Sequence, residues 1–112
     1  LEERTVKFSE SILKICKRLS KDLVTSPVIS QLVRSATSVG ANYCEANNAE
    51  SRSDFKHKIG ISKKEAKETV YWLRMVLLLF PERKDEINLL RKEATELTLI
   101  FGAIMKTTAI NS

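Results

Sequence analysis

From Ser53 to Phe80 an apolar or small residue returns at alternating steps of four and three: Phe55, Ile59, Ser62, Ala66, Thr69, Leu73, Val76 and Phe80. That spacing keeps one face of an α-helix inward along its whole length, in the manner of a heptad seam. A strand cannot use it, because strand side chains alternate in twos. One helix over these residues would be about 42 Å long at 1.5 Å per residue. Pro81 then ends it, since the ring removes an amide donor and collides with the preceding turn. Ser51 or Ser53 stands where a cap is needed.

The same period recurs on both sides. Residues 3–22 carry Phe8, Ile12, Ile15 and Leu19 at steps of four, three and four. Thr25-Ser26-Pro27 then opens a second helix, predicted to start near Pro27 with Ser26 as its cap, because proline in a first turn forfeits no hydrogen bond. Its inward side runs through Ile29, Leu32, Val33, Ala36, Val39 or Gly40, and Tyr43 to about Asn48. Ser35, Ala36, Thr37, Ser38, Gly40 and Ala41 make its middle small enough for a neighbouring backbone to come close. A last segment from about Glu82 repeats Ile87, Leu90, Ala94, Leu97, Phe101, Ile104 and Thr108. Gly40, Gly60 and Gly102 each cost roughly 1 kcal/mol against alanine inside a helix, so packing has to outweigh them. Gly60 reads as a close contact or bend, because the period resumes at Ile61.

Three glycines and two prolines in 112 residues argue against turn-rich β folds and against disordered or collagen-like chains. The expected fold is all-α: an antiparallel up-down-up-down four-helix bundle, one domain over residues 1–112.

The net charge of +5 is unevenly placed. Residues 52–80 hold seven basic and three acidic residues, whereas residues 81–112 hold five of each. The third segment thus carries +4, and on a helical wheel Lys56, Lys63, Lys67 and Arg74 fall within about 40° of one another, with Arg52 just to the side. This ridge suits phosphate contacts, which neutralise a nucleic-acid backbone without reading bases. It equally suits a solvated flank whose lysine stems cover apolar surface, or a row of partners for acids on the fourth helix. No zinc finger, helix-turn-helix or RNA-stacking aromatic pattern accompanies it, so binding of RNA or DNA would rest on shape and charge.

Tyr71, Trp72, Met75, Leu78 and Leu79 lie off the seam of the third segment. A helix apolar on most sides is normally covered on most sides, either by a locally thick core or by another subunit or protein partner. Homo-oligomerisation is the expectation, and it would gather the basic ridges of several copies.

Arg34, Ser38, Asn42 and Glu45 form a polar strip on the second segment, which Glu65 and Glu68 of the third can face. Read structurally, Arg34, Asn42, Glu45, Glu65 and Glu68 are a polar bundle core in which charge pairing sets register at a desolvation cost. A ligand pocket and simple exposure are the other readings. Enzyme chemistry finds no footing. A di-metal bundle needs Glu-x-x-His pairs, yet His57 is the single histidine and sits in Lys56-His57-Lys58. No catalytic base accompanies Cys44, which reads as a small buried hydrophobe. Phosphate-loop, nucleophile-elbow and zincin patterns are missing. The expectation is no catalytic residue, no metal and no cofactor.

Cys16 and Cys44 follow no metal or redox spacing, and no leader precedes the first helix, so the expected compartment is a reducing cytoplasm. The longest apolar run is Val76 to Phe80, far short of the roughly 20 residues a membrane-crossing helix needs, and no membrane partner is expected.

QLVRSATSVGANYCEA at residues 31–46, SRSDFKHK at 51–58 and ISKKEAKETVYWL at 61–73 closely resemble the four-helix-bundle family encoded by intervening sequences in bacterial 23S rRNA genes. The outer helices match in pattern. The resemblance implies a small cytoplasmic bacterial bundle that assembles as a homopentamer, and its encoding context suggests association with rRNA. More broadly, the chain is similar to the accessory protein of diversity-generating retroelements, a basic pentamer that binds a reverse transcriptase and is linked to nucleic acid. Family-pattern residues carried onto this chain are Arg34, Asn42, Glu45, Arg52, Phe55, Glu65, Ala66, Glu68 and Leu73, none with a catalytic assignment. Ala46-Asn47 departs from the glycine many relatives have there, which bears on the local turn. The two functions expected are an oligomeric, non-catalytic accessory protein that binds nucleic acid through the ridge, and a protein-interaction scaffold.

Overall fold

The computed structural model describes residues 1–110. Four helices follow in order: α1 (Glu2–Arg18), α2 (Thr25–Asn47), α3 (Arg52–Leu79) and α4 (Lys84–Ile110), with a short 3-10 turn, Pro81–Arg83, before the last. Together they form an elongated four-helix bundle of about 47 × 22 × 20 Å. Helices consecutive in the chain pack side by side, α2 on α3 and α3 on α4 most extensively, while α1 meets α4 along a much thinner seam. Contacting residues run in opposite numerical directions: Thr5 meets Gly40 and Ser9 meets Ala36, Ser62 meets Val39 and Thr69 meets Ser35, Gly60 meets Met105 and Lys63 meets Gly102.

The apolar stripes read from spacing supply the core. Phe8, Ile12, Ile15 and Leu19 of the first stripe, Ile29, Leu32, Ala36 and Val39 of the second, Ile59, Ala66, Leu73, Val76 and Phe80 of the third, and Ile87, Ala94, Leu97 and Phe101 of the fourth are all buried. Tyr43 and Phe101, with ring centroids 5.7 Å apart, bridge α2 to α4 across the bundle. Ile29, Leu32 and Tyr43 of α2 and Ile59, Leu73 and Val76 of α3 fill the ends of the two helices, but their middles meet through small and hydroxyl-bearing residues. Ser62 donates to the Val39 carbonyl at 2.9 Å. The Thr69 and Ser35 hydroxyls lie 2.9 Å apart, and Thr69 also reaches the Glu65 carbonyl at 2.7 Å. Each buried hydroxyl thereby has a partner, as burial requires.

The termini of the helices differ from expectation in instructive ways. α1 stops at Arg18 instead of running to residue 22, because Lys21 folds back to donate to the Cys16 and Leu19 carbonyls at 3.0 Å each. α2 begins before Pro27, and its cap is Asp22 where Ser26 was expected. The Asp22 carboxylate accepts from the Val24 and Thr25 amides at 2.8 Å, and Thr25 Oγ1 accepts from the Asp22 amide at 2.9 Å, the reciprocal arrangement of a capping box. Pro27 still falls in the first turn. α3 is capped by Ser51, whose Oγ accepts from the Asp54 amide at 3.0 Å. At the departure Ala46-Asn47, α2 continues to Asn47 and turns at Asn48, whose amide returns to the Glu45 carbonyl at 3.1 Å. No described residue there has a positive φ, so the turn needs no glycine.

Helix α3 is unbroken through Gly60. A Cβ placed there would stand 3.5 Å from Met105, and one at Gly102 would stand 3.6 Å from Lys63, both ordinary contacts. Gly40 is the tight position, where a Cβ would come 3.1 Å from Thr5 Oγ1 and 3.2 Å from Thr5 Cβ, on a fully buried residue. Gly60→Ala and Gly102→Ala should therefore each raise stability by about 0.5–1 kcal/mol through helix propensity, whereas Gly40→Ala should gain nothing or lose stability because Thr5 has little room to yield. Urea denaturation midpoints of the three variants check this ordering.

Two carboxylates contribute to the response to acid. The Thr25 and Val24 amides hold the Asp22 carboxyl below its usual range, and the Arg4 guanidinium does the same for Glu93. A carboxylate whose folded pKa is depressed adds stability above its unfolded pKa, about 3.9 for Asp and 4.3 for Glu, and loses that stability as pH falls through the lower folded value. The melting temperature should accordingly stay level from neutrality to about pH 5 and drop below about pH 4. Asp22→Asn with Glu93→Gln should flatten that drop, and a melting temperature that rises on acidification would contradict the assignment.

Candidate nucleic-acid interface

Along α3 the core stripe claims one side, and the side chains rotated about 100° from it face outward. Arg52, Lys56, Lys63, Lys67 and Arg74 all lie on that outer side and are exposed. Lys56 and Lys64 border a shallow groove of about 530 Å³ whose floor includes Gly60, Ile61 and Met105, and His57 lies on its rim, exposed. The Lys63 stem lies over Gly102 of α4.

The acids of α4 do not meet this ridge. Glu93 and Glu96 bind Arg4 of α1 at 2.7 and 2.8 Å, and Glu86 pairs with Arg18 of α1 and, at 3.7 Å, with Arg83. Among the described residues Lys56, Lys63, Lys67 and Arg74 form no ion pair, whereas Lys58, on the opposite flank of α3, binds Glu45 at 2.7 Å. The thin α1–α4 seam explains the sorting. Where the backbones of α1 and α4 stand apart, the long side chains of Arg4 and Arg18 reach over and hold Glu86, Glu93 and Glu96 on the α1 side, away from α3.

Spacing alone does not reveal Lys84 and Arg91. Both belong to a segment of zero net charge, yet the structure separates part of that segment's charge by side. Glu86, Glu93 and Glu96 pair with α1, and Glu82 and Asp85 stay beside Lys84, while Lys84 and Arg91 also gather with Arg74 around a groove of about 700 Å³ at the end of α3.

The polar residues of α2 and α3 are arranged along a surface seam. Arg34 donates to Glu65 at 3.0 Å, to Gln31 at 2.9 Å, and to Glu68, which also accepts from the Trp72 indole at 3.0 Å. Glu65 alone of the strip is buried, at 8% exposure, and Arg34 is half-exposed, so the pair is rooted inside and opens to solvent. Asn42 bonds along its own helix to the Ser38 carbonyl at 2.9 Å. Glu45 sits apart on the rim, 58% exposed in its pair with Lys58. The core-facing side of α2 belongs to Leu32, Ala36 and Val39, which rotates Asn42 and Glu45 outward.

The apolar flank of α3 is narrower than its composition suggests. Trp72 and Leu79 are half-buried against the core, Met75 is half-buried, and Tyr71 and Leu78 stand out, at 54% and 76% exposure. Tyr71 packs edge-on against Trp72 with centroids 5.0 Å apart.

The thiols carry no sign of nucleophilic activation. Burial pushes Cys16 up to about 11, and Cys44, half-buried instead of fully enclosed, donates to Glu2 at 3.1 Å and is likewise raised. Catalytic thiols are shifted the other way. Among the described residues no group of three or more His, Cys, Asp or Glu is placed to hold a metal, and no helix is long and apolar enough to cross a membrane.

Comparison with known proteins gives one family. Residues 2–103 match the model of the 23S rRNA-intervening sequence protein. A crystal structure of a protein of unknown function from the S23 ribosomal protein family of Bacteroides thetaiotaomicron superposes with a TM-score of 0.83 at 31% identity, covering 94% of this chain and 97% of that one. No curated protein matches the sequence. With nearly its whole length matched and the bundle shared, the chain belongs to the 23S rRNA-intervening sequence protein family.

Proposed function

We propose that this protein is an oligomeric accessory factor of the bacterial cytoplasm that binds structured RNA, or another nucleic acid, through the α3 ridge of Arg52, Lys56, Lys63, Lys67 and Arg74. The observation that carries the reading is that Lys56, Lys63, Lys67 and Arg74 are exposed without an acidic partner among the described residues while Glu86, Glu93 and Glu96 of the neighbouring α4 pair with α1. Lysines in that condition exchange condensed counterions of a polyanion for direct contact, the largest source of sequence-independent affinity. The 23S rRNA in the family's name puts RNA first among polyanions. We further infer an up-down-up-down helix order, which the opposed numbering of contacting residues supports, and assembly as a homopentamer, which rests on the family resemblance.

A second reading, a protein-interaction scaffold, is favoured by the exposed Tyr71 and Leu78. Arg74 falls between these two on α3, so the ridge runs into the apolar flank at that end. Polyanion contact would then concentrate on the Arg52 to Lys67 stretch, and protein contact on the stretch beyond it.

Fluorescence anisotropy with a structured RNA and a duplex DNA at several salt concentrations tests the first reading. Affinity should fall steeply with salt, with a log–log slope of about −3 to −4 on duplex DNA if four ridge cations engage, and each Lys→Gln exchange should reduce the slope by about 1. Absence of binding at low salt, or full binding after Lys56, Lys63 and Lys67 are changed to Glu, would sink it. Sedimentation tests assembly: a species of five times the 12.7 kDa chain mass is expected, with Tyr71→Ser and Leu78→Ser shifting it toward single chains if the apolar flank is the contact.

A further inference from the structure

Where α3 ends and α4 begins, Arg74, Lys84 and Arg91 border a groove of about 700 Å³ with Met75, Leu78 and Pro81 on its apolar surface. None of the three cations forms an ion pair among the described residues. Arg91 goes further, since its Nε–H is buried and has no acceptor, although its Nη1 leans toward Asn88 at 3.4 Å. A buried donor left unmet costs about 1–3 kcal/mol, a cost that an acceptor reaching Arg91 would relieve. We infer that this groove docks an acidic amphipathic helix of a partner protein, with apolar side chains spaced three and four apart seated on Met75, Leu78 and Pro81, and flanking carboxylates paired with Arg74, Lys84 and Arg91.

The inference rests on the scaffold reading and names the chemistry of its partner. Nucleic acid is the poorer occupant. Bases need aromatic faces to stack on, and the groove offers methionine, leucine and proline. Methionine and leucine between two helices are the floor that helix-in-groove recognition uses, and methionine adapts to side chains of varied shape. Carboxylates meet arginine as paired, charge-assisted hydrogen bonds, which supplies the register that an apolar floor lacks.

The test uses the full chain and a labelled synthetic peptide of roughly 18 residues, long enough for five helical turns, with leucines at three-four spacing and glutamates on the flanks. Binding is expected, with the Arg91 Nε–H resonance shifting on titration. Lys84→Glu and Leu78→Ser should each weaken it about tenfold or more. Both positions are exposed, so the fold should persist, as circular dichroism will verify. A peptide with lysine for every glutamate should fail. Peptide binding unchanged by Lys84→Glu overturns the inference, as does RNA competing for the groove with dependence on Lys84 and Arg91. If no peptide binds but Leu78→Ser reduces the sedimenting mass, the groove holds a second copy of the chain. The inference then falls while the scaffold reading stands.

Discussion

The close approach of α2 to α3 governs how everything else is placed. Large residues anchor the two ends of this contact, but at its centre Ser35 meets Thr69 and Ser62 meets the Val39 carbonyl beside the small Ala36 and Ala66, and side chains of that size let backbones draw together. Hydroxyls then bond across or along the gap, which makes a small-residue interface as specific as a large-residue one. On the other side of α2, Gly40 gives Thr5 its place, so α1 is seated by the same stretch of chain. With α2 held tightly on both flanks, α3 has one available rotation about its axis. That rotation sends its seam inward and its lysines out.

The fourth wall of the bundle is built on different chemistry. The backbones of α1 and α4 approach each other along only a thin seam, and ion pairs near both ends of α1, Arg4 with Glu93 and Glu96, and Arg18 with Glu86, span the gap. Pairs of this exposure contribute modestly to stability and weaken in salt. Their larger effect is on the distribution of charge, because carboxylates engaged on the α1 side cannot neutralise cations on the α3 side.

Core positions were legible in the sequence because burial follows a period that any helix must obey. Phe8 to Leu19, Ile59 to Phe80 and Ile87 to Phe101 needed only the spacing of apolar residues. What depends on a single polar atom was not legible. Nothing in the period distinguishes Lys21 folding back from α1 continuing, or Asp22 from Ser26 as the cap of α2. The polar strip was visible as residues, but whether Glu45 or Glu65 lies inside depends on how α3 is rotated against α2, a tertiary quantity. The ridge on α3 could be traced on a wheel, whereas the gathering of Lys84 and Arg91 with Arg74 was hidden by the acids that balance them in sequence, of which Glu86, Glu93 and Glu96 pair with α1.

Sorted charge on a rod has a directional consequence. With +4 of the +5 net charge on residues 52–80 and Glu86, Glu93 and Glu96 drawn to α1, positive charge is concentrated on the α3 side of a body 20 Å wide and 47 Å long. In the field of a long anionic chain such a body turns about its own axis before contact, presenting its flank and not its tip. Orientation of that kind shortens the search for a productive encounter and is lost first as ions accumulate around the charges.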